Sequence, residues 1–192
     1  MALITLEDLR LEVEEKTPAN DELLRAMASG IESLWETLTN RTLESTAHTE
    51  YHNIQEYGDT IFLKNWPVVS DPAVQLWEDP DWEWGSDTLI AATDYRVDYV
   101  NGVIYYNSYF LEGKQTVKVS YTAGYSVSTL PDGWKRILVR QGVHWFHQAK
   151  HSKWDVASVA EPAGAGTTSY KNLVSNLLPD FALLVEKERM KW

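Results

Sequence analysis

The stretch from Val117 to Gln148 limits the fold more than any other part of the chain. It reads VKVSYTAGYSVSTLPDGWKRILVRQGVHWFHQ. Val117, Val119 and Tyr121 alternate with Lys118 and Ser120, the period-two pattern of a half-buried strand. Gly124 then permits a chain reversal that a β-branched residue would resist. Pro131 suits a first helical turn, where a missing N–H costs nothing. Beyond it, Trp134, Ile137, Leu138, Gln141 and Trp145 fall on one side of a helix. Val139, Val143 and Phe146 fall on the opposite side. A helix apolar on two sides must be buried on two sides. The first side is expected to face the chain's own core. The second needs another partner, and a neighbouring subunit is the candidate for Val139, Val143 and Phe146.

The segments before this stretch are of two kinds. Thr5-x-x-Asp8 resembles a capping box with Asp in place of Glu or Gln, and Leu6, Leu9 and Val13 follow at helical spacing. Thr17-Pro18 interrupts that helix. Asn20 is placed to cap a second one, with Asp21 and Glu22 at its positive end. Leu23, Leu24, Met27, Ile31, Leu34, Trp35 and Leu38 form its apolar stripe, and Asn40 is placed to end it in a left-handed conformation. From Leu43 the pattern becomes extended. Strands are expected over residues 45–52, 61–64, 68–77, 94–100, 103–106 and 115–121, with Gly58-Asp59 as a turn and Asn101-Gly102 as a tight hairpin. The expected class is α+β. A helical bundle core, residues 1–42 and 126–154, carries an inserted, mainly antiparallel β subdomain at 43–125. Residues 155–192 form an extended C-terminal arm that ends in a short helix.

Composition narrows the functions. The chain has 192 residues, long enough for a real core, and its nine Trp and ten Tyr suit a large core or wide interfaces. It has no Cys, which excludes disulfides, a cysteine nucleophile and thiolate metal sites. A net charge of −11 opposes gripping nucleic acid through its phosphates, but not letting DNA slide past. No apolar run is long enough to span a membrane, and no signal peptide is expected from the N-terminus. G-x-S-x-G, P-loop and dinucleotide patterns are absent, so neither catalysis nor a cofactor is expected.

Three stretches are candidate sites. The first is the loop WEDPDWEWGSD, Trp77 to Asp87. Its Asp79, Asp81 and Glu83 alternate as in a calcium loop, but Trp84 stands where glycine is needed and no bidentate Glu follows. Trp77, Trp82 and Trp84 could stack on a sugar, which makes a carbohydrate-binding module the alternative reading. The favoured reading is that they pack on the sheet or, for Trp82 and Trp84, on a neighbouring subunit, since most loop aromatics have packing roles. The second is His144, His147 and His151 on one flank of the third helix. HQAKH is an i, i+4 pair, but it lacks the Glu of HExxH and no further ligand is identifiable, so no metal is expected. The third is the tail. Pro162, Gly164 and Gly166 oppose a packed element, and Leu178-Pro179 opens a last helix bearing Phe181, Leu183, Leu184 and Val185. That helix either reaches a partner or folds back on its own core.

ALITLEDLR at the start, LTNRTL, FLKNWPVVS, DYRVDYVNGVIYY and VKVSYTAGYSVSTLPDGWKR together, in this order over residues 2 to about 148, resemble the head–tail connector, or adaptor, proteins of long-tailed bacteriophages. The arm containing Ser169-Tyr170, followed by Leu178-Pro179 and a short helix, is similar too. The resemblance implies a ring, usually twelve-fold, below the portal protein in the neck of the virion. Such a ring extends the DNA channel and offers a platform to a stopper or tail-completion protein. DNA would pass through its lumen without sequence-specific binding, and assembly would take place in the host cytoplasm. It also implies that the tail docks on the portal, through Tyr170, Leu178, Phe181, Leu184 and Val185.

Overall fold

A computed structural model describes residues 3–13, 18–56, 58–150, 156–158, 169–170 and 177–189. The fold is α+β. The chain divides into a helical unit, Met1–Asn40 with Val127–Trp192, and a β unit, Arg41–Ser126.

The helical unit contains α1 (Leu6–Val13), a 3-10 turn (Pro18–Asn20), α2 (Asp21–Thr39), α3 (Asp132–Lys150) and α4 (Pro179–Arg189). The Thr5 N–H donates to Asp8 Oδ2 at 2.9 Å, and the Asp8 N–H to Thr5 Oγ1 at 3.1 Å. The capping box therefore closes with the shorter acid. Lys135 Nζ lies 2.8 Å from Asp8 and ties α3 to the start of α1. On α2, Leu24, Met27, Ile31 and Trp35 are buried, and Asn40 ends the helix at φ 55°. Asn20 precedes α2 without a side-chain capping bond. It closes the 3-10 turn at φ −109°, ψ 10°, away from the extended backbone of a capping residue.

The sequence reading of α3 needs correction. Val139 is buried and Phe146 fully so, whereas Trp134, Val143 and Trp145 are half-buried. A fully buried Phe146 leaves nothing to offer a neighbouring subunit. Within the chain, α4 lies against both α2 and α3. Its start is held where the Leu178 N–H donates to the buried Gln141 Oε1 at 2.7 Å and Arg140 pairs with Asp180 at 3.0 Å. Phe181, Leu184 and Val185 are buried in turn. Gly142 marks how closely the helices pack. A Cβ there would stand 2.6 Å from Ile31 Cδ1 and 2.9 Å from Leu9 Cδ2.

The β unit contains β1 (Thr46–Ile54), β2 (Thr60–Phe62), β3 (Gln75–Glu78), β4 (Tyr95–Asp98), β5 (Val103–Tyr106) and β6 (Gly113–Ala123). They form two antiparallel three-stranded sheets, ordered β1-β6-β3 and β2-β5-β4. Leu76, Val117 and Val119 of the first sheet and Ile61, Ile104 and Tyr95 of the second belong to one buried cluster. Alternation therefore gives each sheet an inner face on this shared core and an outer face directed away from it. Asn101-Gly102 turns β4 into β5, with Gly102 at φ 67°. Gly124 ends β6 at φ 110°, where a Cβ would meet the Glu44 carbonyl oxygen at 2.6 Å. Both freedom of φ and absence of a side chain are needed there.

In the tail, β7 (Val156–Ser158) pairs antiparallel with β8 (Ser169–Tyr170). Pro162 to Thr168 lies outside the described residues.

The helical unit is expected to depend on Phe146 more than on Trp145. Phe146→Ala should cost about 3–5 kcal/mol in thermal or denaturant unfolding, and Trp145→Ala measurably less. Phe181→Asp should lower the melting temperature instead of leaving a fully stable subunit, because α4 is part of the core. Equal losses from Phe146→Ala and Trp145→Ala would contradict this packing.

Candidate functional site

The outer faces of the β unit and one buried polar network gather most of its unusual side chains. The Trp77 to Asp87 loop is organised by Asp79. This carboxylate is almost fully buried and accepts the N–H groups of Asp81 and Trp84, each at 2.8 Å. Burial opposes its ionisation, but these bonds, with others from Glu83 and Trp82, hold its pKa below the ordinary value. They also hold Trp82 at φ 61° and Trp84 at φ 53°, a region that bulky residues seldom enter. Asp79 is therefore committed to backbone amides, and the alternation of Asp79, Asp81 and Glu83 does not make a calcium cage. Among the described residues no group of three or more His, Asp or Glu is placed to hold a metal ion.

The loop folds over the outer face of the β1-β6-β3 sheet. Lys118 Nζ lies 4.5 Å from the Trp77 ring centre and 5.8 Å from that of Trp84, and Trp84 lies 5.5 Å from Tyr51. Trp77 and Trp84 are thus engaged with the sheet. Trp82 donates its Nε1–H to the Lys114 carbonyl at 3.3 Å yet remains 59% exposed. A sugar would find one open Trp here and not a platform of three.

The buried network lies on the inner side of β1. Tyr121 donates its hydroxyl to Glu50 Oε1 in a short bond. The Lys64 N–H donates to the same carboxylate at 3.2 Å, and His52 Nε2 stands 3.3 Å from Glu50 Oε2. The Asn65 N–H donates to the Tyr121 hydroxyl at 3.2 Å. His48 Nε2 is 3.1 Å from Thr42 Oγ1 and 3.1 Å from Thr46 Oγ1. Burial would raise the Glu50 pKa, but His52, Tyr121 and Lys64 outweigh it and keep it below the ordinary carboxylate value. Burial, reinforced by Glu50, raises that of Tyr121. Burial lowers that of His48, with partial compensation from Glu50. The arrangement stitches β1, β6 and the β2–β3 connection together, and a buried acid satisfied by several donors is a structural device. Sequence reading missed it. The signal was Glu50 sitting in the inward register of β1.

The expected site residues separate in space. Trp82 is open and Trp84 is half-buried. Val139 and Phe146 are buried. Phe181, Leu184 and Val185 are buried and Leu178 is half-buried, so docking through that face requires α4 to leave the helical unit. Tyr170 is described in its backbone alone, on β8. His147 is exposed on α3, His144 Nε2 is 2.9 Å from Gln148 Nε2, and His151 lies outside the described residues.

No protein-family model matches the chain, and no curated protein matches it. Solved structures do share its fold. One is a chain from the virion of a native gene transfer agent particle, with TM-score 0.60 and 19% identity, covering 97% of this chain and 89% of that one. A second comes from the neck of an empty gene transfer agent particle computed with C6 symmetry, with TM-score 0.59 and 18% identity, over 97% and 89%. A third comes from the neck of the native particle computed with C12 symmetry, with TM-score 0.51 and 20% identity, over 97% and 91%. The likeness is one of fold and extends over nearly the whole chain.

Acid should act on the β unit in two steps. His48 is held below its unfolded value of 6.5, so its contribution is full above pH 6.5 and falls as pH drops through its folded value. Glu50 is held below 4.5, so its contribution is full above pH 4.5 and is lost at lower pH. Glu50→Gln should cost on the order of 1–3 kcal/mol at pH 7 and flatten the lower step. Melting temperatures recorded from pH 7.5 down to 3.5 check both; an unchanged acid profile in Glu50→Gln would remove this carboxylate from the account.

Proposed function

We propose that this chain is a structural neck protein of a phage-like particle, a head–tail connector. Copies assemble as a ring, with twelve members, below the portal protein. The ring extends the DNA channel and presents a platform to a stopper or tail-completion protein. The observation that carries this reading is the fold shared, over 97% of the chain, with chains of gene transfer agent necks and virions. Two of those necks were computed with C6 and C12 symmetry, which supports a ring of identical copies. The ordered motifs of residues 2–148 support the same reading independently.

The charge of the chain suits the role. A conduit for DNA must not hold it, and a net charge of −11 favours a lumen that repels phosphates. DNA then passes without base-specific contacts. In this role the chain catalyses nothing and needs no cofactor; it works by shape, repetition and charge. It resides in the virion neck after assembly in the host cytoplasm.

Electron microscopy of the full-length protein mixed with the portal protein of the same particle tests the proposal. A coaxial ring on the portal is expected, from a protein that is monomeric or polydisperse by itself. A single stable dimer in ultracentrifugation that ignores the portal would exclude the connector role.

A further inference from the structure

We propose that neighbouring copies join head to tail through the two outer faces of the β unit. The Phe62, Arg96 and Tyr105 face of one copy receives the Asp81, Trp82 and Glu83 loop of the next. The inference rests on the ring reading above and assigns the surface that builds the ring.

The first face follows from strand alternation. Ile61, Ile104 and Tyr95 enter the core, so Phe62, Tyr105 and Arg96 turn outward. Tyr105 stands directly across from Thr60 on one side and Arg96 on the other. Phe62 is 51% exposed and Tyr105 49%. No carboxylate among the described residues pairs with Arg96. Exposed aromatics beside arginine are the composition that interface centres favour.

The second face lies across the core. Leu76, Val119 and Glu50 point inward on their sheet, which sends Trp77, Lys118 and Tyr51 outward. The acidic loop rests on that outward side through Trp84. Its tip presents Trp82 between exposed Asp81 and Glu83. The two sheets share one core, so these two surfaces look in opposite directions. The first presents its aromatics with Arg96, while Asp98 on the same face is engaged by the N–H groups of Val100 and Asn101 and by the Asn101 amide. The second holds Lys118 over the Trp77 and Trp84 rings and presents Trp82 with the exposed acids Asp81 and Glu83.

This polarity selects the mode of association. A two-fold dimer would set cation against cation or acid against acid, which is costly. Head-to-tail stacking sets each Arg96 against an acidic loop. A contact of that kind closes into a ring when its rotation allows.

Charge reversal on the full-length chain, assembled on the portal protein and counted as rings by electron microscopy, tests the surface. Arg96→Glu alone should reduce ring yield about tenfold or more, and so should Asp81→Arg with Glu83→Arg. Each variant should keep the wild-type melting temperature, since these side chains are exposed. Mixing the two variants should restore rings, because every junction of an alternating, even-membered ring then joins opposite charges. Rings from each variant alone at wild-type yield would overturn the interface. Failure of the mixture to recover would do the same. Absence of a ring from the wild-type protein would instead overturn the neck reading, and this inference with it.

Discussion

The two apolar sides of α3 are the constraint on which the helical unit depends. A helix of this kind cannot face water on either side. The chain meets the demand with its own parts: α1 and α2 converge on Gly142, and α4 returns along the opposite end of the sequence to lie against α2 and α3. A helical glycine costs about 1 kcal/mol relative to alanine in propensity. Here the absent Cβ is what allows Leu9 and Ile31 to close on the helix axis. The buried Gln141 then has a structural task, since its side-chain oxygen receives the Leu178 N–H just ahead of α4. The start of that helix is thus fixed by a bond as well as by burial.

The β unit answers the same physical demand differently. Two small sheets are each too short to be stable alone, and they share one apolar core. Among the polar groups that the strands bring inside, Glu50 accepts from Tyr121 and from the backbone of Lys64. The outer faces are left with aromatic residues and charges. Asp79 uses its carboxylate to hold the acidic loop in a shape that two tryptophans at positive φ would not take unaided. Both units leave some apolar side chains exposed, among them Leu11 and Leu183 on the helical unit and Phe62, Tyr105 and Trp82 on the β unit.

Much of this was legible in the sequence because it depends on local periodicity. The stripe of α2, the left-handed Asn40, the Thr5–Asp8 box, the Asn101-Gly102 hairpin and the sharp turn at Gly124 are each set by residues within a few positions of one another. The order of short motifs over residues 2–148 carried the resemblance to connector proteins, and the fold is shared over 97% of the chain with chains of gene transfer agent particles. Tertiary structure decided what periodicity cannot encode. Two-sided apolar character in α3 states that a second partner exists, but not whether it belongs to the same chain. For Phe146 the answer is its complete burial within the chain. Likewise, a row of acids and tryptophans is compatible with a metal cage, a sugar platform or a packed loop. The choice was made by where Asp79 sends its oxygens and where Lys118 lies between two rings. Such choices depend on residues far apart in the chain, and composition and spacing are blind to them.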